Sequence, residues 1–175
     1  MTKTDIPRPE SGDVVDLILD DHRLFEALLR RMRDETDDRD ETRASLSAVL
    51  IAHSEAEEEH VYPALVRKDA IDEEDAEHGE HEHDEGNAAL LAVLEVEDTS
   101  AAEFGDAVEE LTKALAHHLD EEERAILNPA RTDVPDQART DLGEKFAAER
   151  SRLLEAGCGD VENVRRIVQK AKSKG

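Results

Sequence analysis

Apolar residues recur along this chain at steps of three and four. Val15, Ile18, Leu19, Phe25, Leu29 and Met32 share one stripe, with His22 on it, and predict an amphipathic helix from Asp13. The stripe fades into a charged run, Asp34 to Glu41, which reads as a turn. A second stripe holds Leu46, Val49, Leu50, Val61 and Ala64, with His53, Glu57 and His60 in phase. Pro63 should kink that helix or mark its end. Residues 67–75 read as a polar connection. A third stripe is His83, Leu90, Leu91 and Leu94, after which Asp98, Thr99 and Ser100 offer a break and an N-cap. A fourth runs Phe104, Val108, Leu111, Leu115, His118, Glu122 and Ile126, and ends around Asn128-Pro129. Beyond Pro135, Ala138, Leu142, Phe146 and Leu153 predict a fifth, shorter helix closed by a turn at Gly157–Gly159. Val161, Val164, Ile167 and Val168 then predict a last amphipathic turn or two.

Four long helices with short links predict an all-α, up-down-up-down four-helix bundle over residues 12–130, with a C-terminal helical extension over 131–175. Residues 1–11, punctuated by Pro7 and Pro9, read as a disordered N-terminus.

Composition narrows the function. The formal net charge is −24, which repels phosphate backbones and anionic lipid, so neither a nucleic acid nor a membrane is expected as partner. No apolar run reaches the ~20 residues a bilayer span needs. The N-terminus lacks the apolar stretch of a signal peptide, and one cysteine, Cys158, fits a reducing compartment, so a cytoplasmic location is expected. The Gly-Cys-Gly setting of Cys158 reads as an exposed turn.

The chemistry lies where polar residues interrupt apolar stripes. His53 and Glu57 stand one turn apart on the second helix, and His118 and Glu122 one turn apart on the fourth. A buried glutamate without a partner is costly, and a metal ion removes that penalty, with carboxylate and neutral imidazole as its natural ligands. The pattern also repeats. Asp21-His22 precedes His53 as Glu82-His83 precedes His118, and each leading histidine has a leucine seven residues on, Leu29 and Leu90. Eight histidines in so charged a chain will reach helix faces by chance, and one His-x-x-x-Glu pair says little. Two, both on apolar stripes and each preceded by an acidic-His helix, point to a metal site. The repeat favours His83 over His78 and His81 on the third helix. His117 falls off its stripe.

Asp21-His22, His53-x-x-x-Glu57-Glu58 with Tyr62-Pro63, Glu82-His83 and His118-x-x-x-Glu122-Glu123 resemble the hemerythrin-like, HHE cation-binding family. The likeness ends near Pro129, which follows its glutamate one residue later than Pro63 does. The resemblance implies two irons per chain, bridged by two carboxylates and an oxo or hydroxo group. Glu57 and Glu122 would be the bridges, and His22, His53, His83 and His118 the terminal ligands. Oxygen-carrying members use a fifth histidine, from a His-x-x-x-His pair on the third helix. Here that helix has His78, His81 and His83 and no such pair. The fifth place is open to His78 or His60, with Tyr62 as an oxygen ligand instead. A missing ligand would leave iron an exchangeable position. The expected function is therefore reaction with a small oxidant, by catalase-like peroxide breakdown or by sensing of O2, H2O2 or NO. The alternatives are O2 binding or iron storage without turnover, and a structural bundle. Glu58 and Glu123 are expected to face solvent or to orient a ligand imidazole. Small residues at Ala56, Ala88 and Ala125 are expected to leave room for a diatomic or peroxide ligand.

Overall fold

The computed structural model describes residues 5–174 and is all helical, with no strand among the described residues. The helices are α1 (Val14–Arg33), α2 (Arg39–Ala56), α3 (Tyr62–Arg67), α4 (Glu73–Glu95), α5 (Ala102–Glu122), α6 (Asn128–Asp133), α7 (Asp136–Glu155) and α8 (Val161–Lys174). Asp13 and Asp38 begin α1 and α2 by accepting from Val15 N–H and Glu41 N–H. Asp72 and Asp75 form a reciprocal capping box at α4. The start of α5 falls at Ala101, without a side-chain cap; Asp98 instead accepts from the amide and hydroxyl of Ser100 within the turn.

Both prolines act one turn earlier than a simple kink would. A π-helical turn, Glu57–Val61, joins α2 to α3, and a second, Glu123–Leu127, joins α5 to α6. Proline cannot donate to the helix ladder and its ring crowds the carbonyl four residues back, and a widened turn accommodates both demands. The second π turn begins one residue later, relative to its His-x-x-x-Glu pair, than the first does. Pro129 is displaced by the same one residue relative to Pro63.

α1 packs on α2 and α5, α2 also on α4, and α4 on α5, which closes a ring of four. The predicted short fifth helix is as long as α1, because Leu142, Phe146, Ala147 and Leu153 give α7 a continuous face against α1 and α2. α8 is 14 residues, not a turn or two, with Val164 and Val168 buried and its contacts on α4. Residues 1–4 of the expected disordered N-terminus lie outside the described residues. Residues 5–13 are non-helical yet engaged: the Pro7 carbonyl accepts from Arg150, and Ile6 packs on the core. No helix among the described residues is long and apolar enough to cross a membrane.

The core divides into two apolar clusters. One includes Val14, Ile18, Leu65, Ile126 and Phe146, the other Phe25, Leu46, Leu90, Leu111 and Leu153. On α1, α5 and α7, the residues between the two clusters are buried polar ones: Asp21 and His22, His118 and Glu122, Arg150. His53 and Glu57 interrupt the apolar run from α2 into the π turn in the same way. Burying each large apolar side chain contributes about 1.5–3 kcal/mol, and those clusters offset the cost of a polar belt through the centre.

Candidate metal centre

The belt is built from the repeat. His22 comes from α1, His53 from the end of α2, Glu57 from the π turn after it, His83 from α4, and His118 and Glu122 from α5. Glu57, His83, His118 and Glu122 form one buried group whose ligand atoms lie close enough to hold a metal ion; His22, His53 and Glu122 form a second. The two groups share Glu122. Its Oε1 is 3.1 Å from His22 Nε2 and its Oε2 is 3.4 Å from His118 Nε2. Glu57 also lies between the groups, with Oε1 2.5 Å from His53 Nε2 and 3.7 Å from His83 Nε2.

The residues fit a cation. His53 Nε2, both Glu57 oxygens and both His118 nitrogens are buried without a hydrogen-bond partner, the close approach of Glu57 to His53 being out of alignment. Buried polar atoms are otherwise almost always paired. Five such atoms, all on imidazole or carboxylate, are the donors a transition metal takes. Protons take part of that role in the bare cluster. Burial pulls His53 down, but Glu57 and Asp21 outweigh it and push its pKa up to about 10. Burial likewise lowers His83, and Glu57 and Glu58 raise it to about 10. Burial raises Glu57, yet His53 and His83 hold it below the usual carboxylate range. His118, desolvated and facing His83, falls to about 3 and stays neutral.

The family model of the hemerythrin HHE cation-binding domain matches residues 13–129. This chain belongs to that family. No curated protein and no solved structure matches it.

Around this hemerythrin-type cluster, three histidines carry a carboxylate on the outward nitrogen. His53 Nδ1 is 2.9 Å from Asp21, His83 Nδ1 2.9 Å from Glu58, and His22 Nδ1 3.1 Å from Glu123. Glu58 and Glu123 therefore do what was expected of them: both are partly exposed and each meets a ligand-group imidazole. Such partners fix ring orientation and tautomer. His118 Nδ1 has no such partner.

His60 and His78, the candidates for a fifth histidine, belong to neither group. His60 comes within electrostatic reach of Glu149 on α7. His78 is 54% exposed and 3.1 Å from Glu82, which His117 approaches from α5 at 3.2 Å. His81 pairs with Glu85 on the surface. The α4 core face runs through His83, Gly86, Leu90 and Val93, which turns 78 and 81 outward and leaves Leu91 and Leu94 at its flank. Ala88 is exposed, whereas Ala56 is buried.

Tyr62 reaches the cluster by another route. It is buried, stacks on His83 with centroids 5.6 Å apart, and donates its hydroxyl in a short bond to Glu122. Gly79 permits this, since a Cβ there would meet the ring at 2.9 Å. Burial, Glu122 and Glu57 raise the Tyr62 pKa well above its ordinary value, so the phenol keeps its proton. Arg150 was missed altogether from the sequence. Its signal was an arginine at the fourth and third steps of the Phe146–Leu153 stripe.

Proposed function

We propose that the cluster holds two iron ions and that the protein reacts with a small oxidant, with H2O2 placed ahead of O2 and NO. The single observation that carries this is the pair of buried ligand groups sharing Glu122, in which five nitrogens and oxygens, on His53, Glu57 and His118, lack hydrogen-bond partners. Glu57 and Glu122, each lying between the two groups, would hold the ions together with His22, His53, His83 and His118. Four histidines fall short of a five-histidine set, and His60 and His78 do not make up the difference. Iron, when bound, supplies a Lewis-acidic, redox-active position for a small ligand. The Tyr62 hydroxyl would hold its proton against Glu122 and steady that carboxylate. A cleft of about 140 Å³, bounded by Ser54, Glu58 and Asp84 among others, opens beside the carboxylate that holds His83 and suits entry of a neutral diatomic or peroxide.

The ring of contacts among α1, α2, α4 and α5 supports an up-down-up-down bundle over 12–130, with 131–175 as an extension upon it. We place the protein in the cytoplasm, with neither nucleic acid nor membrane as partner. Iron analysis and oxygen evolution from peroxide test the reading together. Turnover that rises with bound iron and vanishes in His118→Ala supports catalase-like chemistry. The near-complete burial of His22, His53, Glu57, His83, His118 and Glu122 favours a second reading, O2 binding or iron storage, which a stable coloured adduct without turnover would select.

A further inference from the structure

We propose that Arg150 is a positioning residue for one half of the metal centre. By gripping Asp21 it holds His53 with Nε2 turned into the cluster, so α7, beyond residues 13–129, is a working part of the site. The proposal rests on the two-metal reading above.

Arg150 is 2% exposed and lies on α7 between Phe146 and Leu153. Its guanidinium meets Asp21 as a fork, Nε to Oδ2 at 2.8 Å and Nη2 to Oδ1 at 2.7 Å. Its remaining terminal nitrogen, Nη1, donates to the Pro7 carbonyl at 2.7 Å. A fork fixes the plane of a carboxylate as well as its position. Asp21 Oδ2 then stands 2.9 Å from His53 Nδ1, and a proton on Nδ1 leaves Nε2 as the free nitrogen. That Nε2 is one of the unpartnered buried atoms. α7 also supplies Phe146, edge-on to the His53 ring at 5.6 Å, and Phe25 of α1 meets the same ring edge-on at 5.0 Å. At Nδ1 His53 has one oriented acceptor, Asp21, and Arg150 sets it. The other held histidines differ. Glu58 and Glu123 are 37% and 46% exposed, and among the described residues no guanidinium grips either.

Cobalt(II) titration of the metal-free full-length chain, followed by its visible absorption, tests this. The wild type should take up two ions. Arg150→Leu should weaken one uptake step by about 10–100-fold and leave the other within about twofold. Arg150→Lys, which restores a charge but not the fork, should fall between. Glu58→Gln should weaken the step that Arg150→Leu spares. Arg150→Leu with both steps unchanged, or both weakened equally with no rescue by lysine, overturns the proposal. Should Arg150→Leu fail to fold, amide exchange on the wild type decides. Cobalt should slow exchange in α7 around Arg150 and leave α8 as it was; no slowing in α7 overturns it. A wild type that binds no cobalt fails the two-metal reading and this proposal with it. Two tight ions with an indifferent Arg150→Leu fails this proposal alone.

Discussion

The two halves of the centre repeat one pattern and are secured in opposite ways. The half with His22 and His53 is closed over by α7, which brings Phe146 against His53 and Arg150 onto Asp21. The half with His83 and His118 is covered instead by Tyr62, stacked on His83, and by α8 against α4, with no guanidinium behind either ring among the described residues. Its acceptor Glu58 is partly exposed beside a cleft, and His118 Nδ1 has no partner. The same ligand types can thus be backed by a buried, gripped carboxylate, as at His53, or by a partly exposed one, as at His22 and His83. The identity of the ligands does not set this difference; what stands behind each ring does.

The largest effect should come from removing what the halves share. Glu122→Gln takes a carboxylate from both groups and should reduce bound metal from about two ions per chain to fewer than one. Elemental analysis after iron-replete expression measures it. Retention of two ions would mean that the halves do not share this residue.

Next come changes confined to one half. His83→Ala should cost about one ion, since His83 belongs to one group only, with the same loss seen in the spectrum. His60→Ala, His78→Ala and His81→Ala should leave the metal content where it was. Loss of metal in any of those three would put a fifth histidine back into the centre.

Stability should separate the halves even without metal. Arg150→Leu leaves buried Asp21 with His53 as its remaining charged partner, so the cost should approach but not exceed the ~3–5 kcal/mol of an orphaned buried charge. Glu58→Gln touches a partly exposed pair and should cost less than about 1 kcal/mol. Urea melts of the chelated proteins give both numbers. Equal costs would erase the proposed asymmetry.

Much of this was legible in the sequence because it was periodic. The apolar stripes gave the helices, and His53, Glu57, His118 and Glu122 stood out as polar residues on buried faces; the structure buries all four. The rest was not periodic. Arg150 and Asp21 are 129 residues apart, and nothing in either helix announces the other. The π turns slip the hydrogen-bond register by one residue, and their only mark in the sequence is a proline further along. Leu91 and Leu94 drew the α4 stripe slightly off its axis, because Gly86 and Asn87 hold the core face without looking apolar.

A smaller effect follows from pH in the metal-free protein. His53 and His83 have folded pKa values of about 10 against an ordinary 6.5. Their stabilisation is complete below pH 6.5 and is lost as pH rises toward 10, since the unfolded chain has already released those protons. His118 is neutral in both states above pH 6.5 and does not contribute there. The chelated protein should therefore melt at steadily lower temperature from pH 6.5 to 10. Metal uptake should strengthen over the same range, because its ligands must give up protons. Parallel rather than opposite trends would show that proton and metal do not compete for this cluster.

The smallest effect tests how firmly the extension is seated, on which the closed half depends. The turn after α7 is a left-handed cap: Gly157 has φ 71°, Cys158 N–H donates to Leu153 O at 3.2 Å, and Gly157 N–H to Leu154 O at 3.2 Å. That turn does not project into solvent as Gly-Cys-Gly suggested. Ser47 on α2 donates to the Gly159 carbonyl at 2.7 Å, and Cys158 is buried with its thiol 3.4 Å from Ala48 O. Burial, with Glu55 nearby, pushes the thiol up to about 11, so little thiolate exists near neutral pH, and the side chain is largely shielded from solvent. A disulfide reagent should label native Cys158 far more slowly than the unfolded chain, with the rate rising only as α7 and α8 open. Arg150→Leu should speed labelling modestly by loosening α7, and Glu58→Gln should not. Labelling as fast in the native protein as in denaturant would mean that the turn lifts off α2 freely, and that α7 closes nothing.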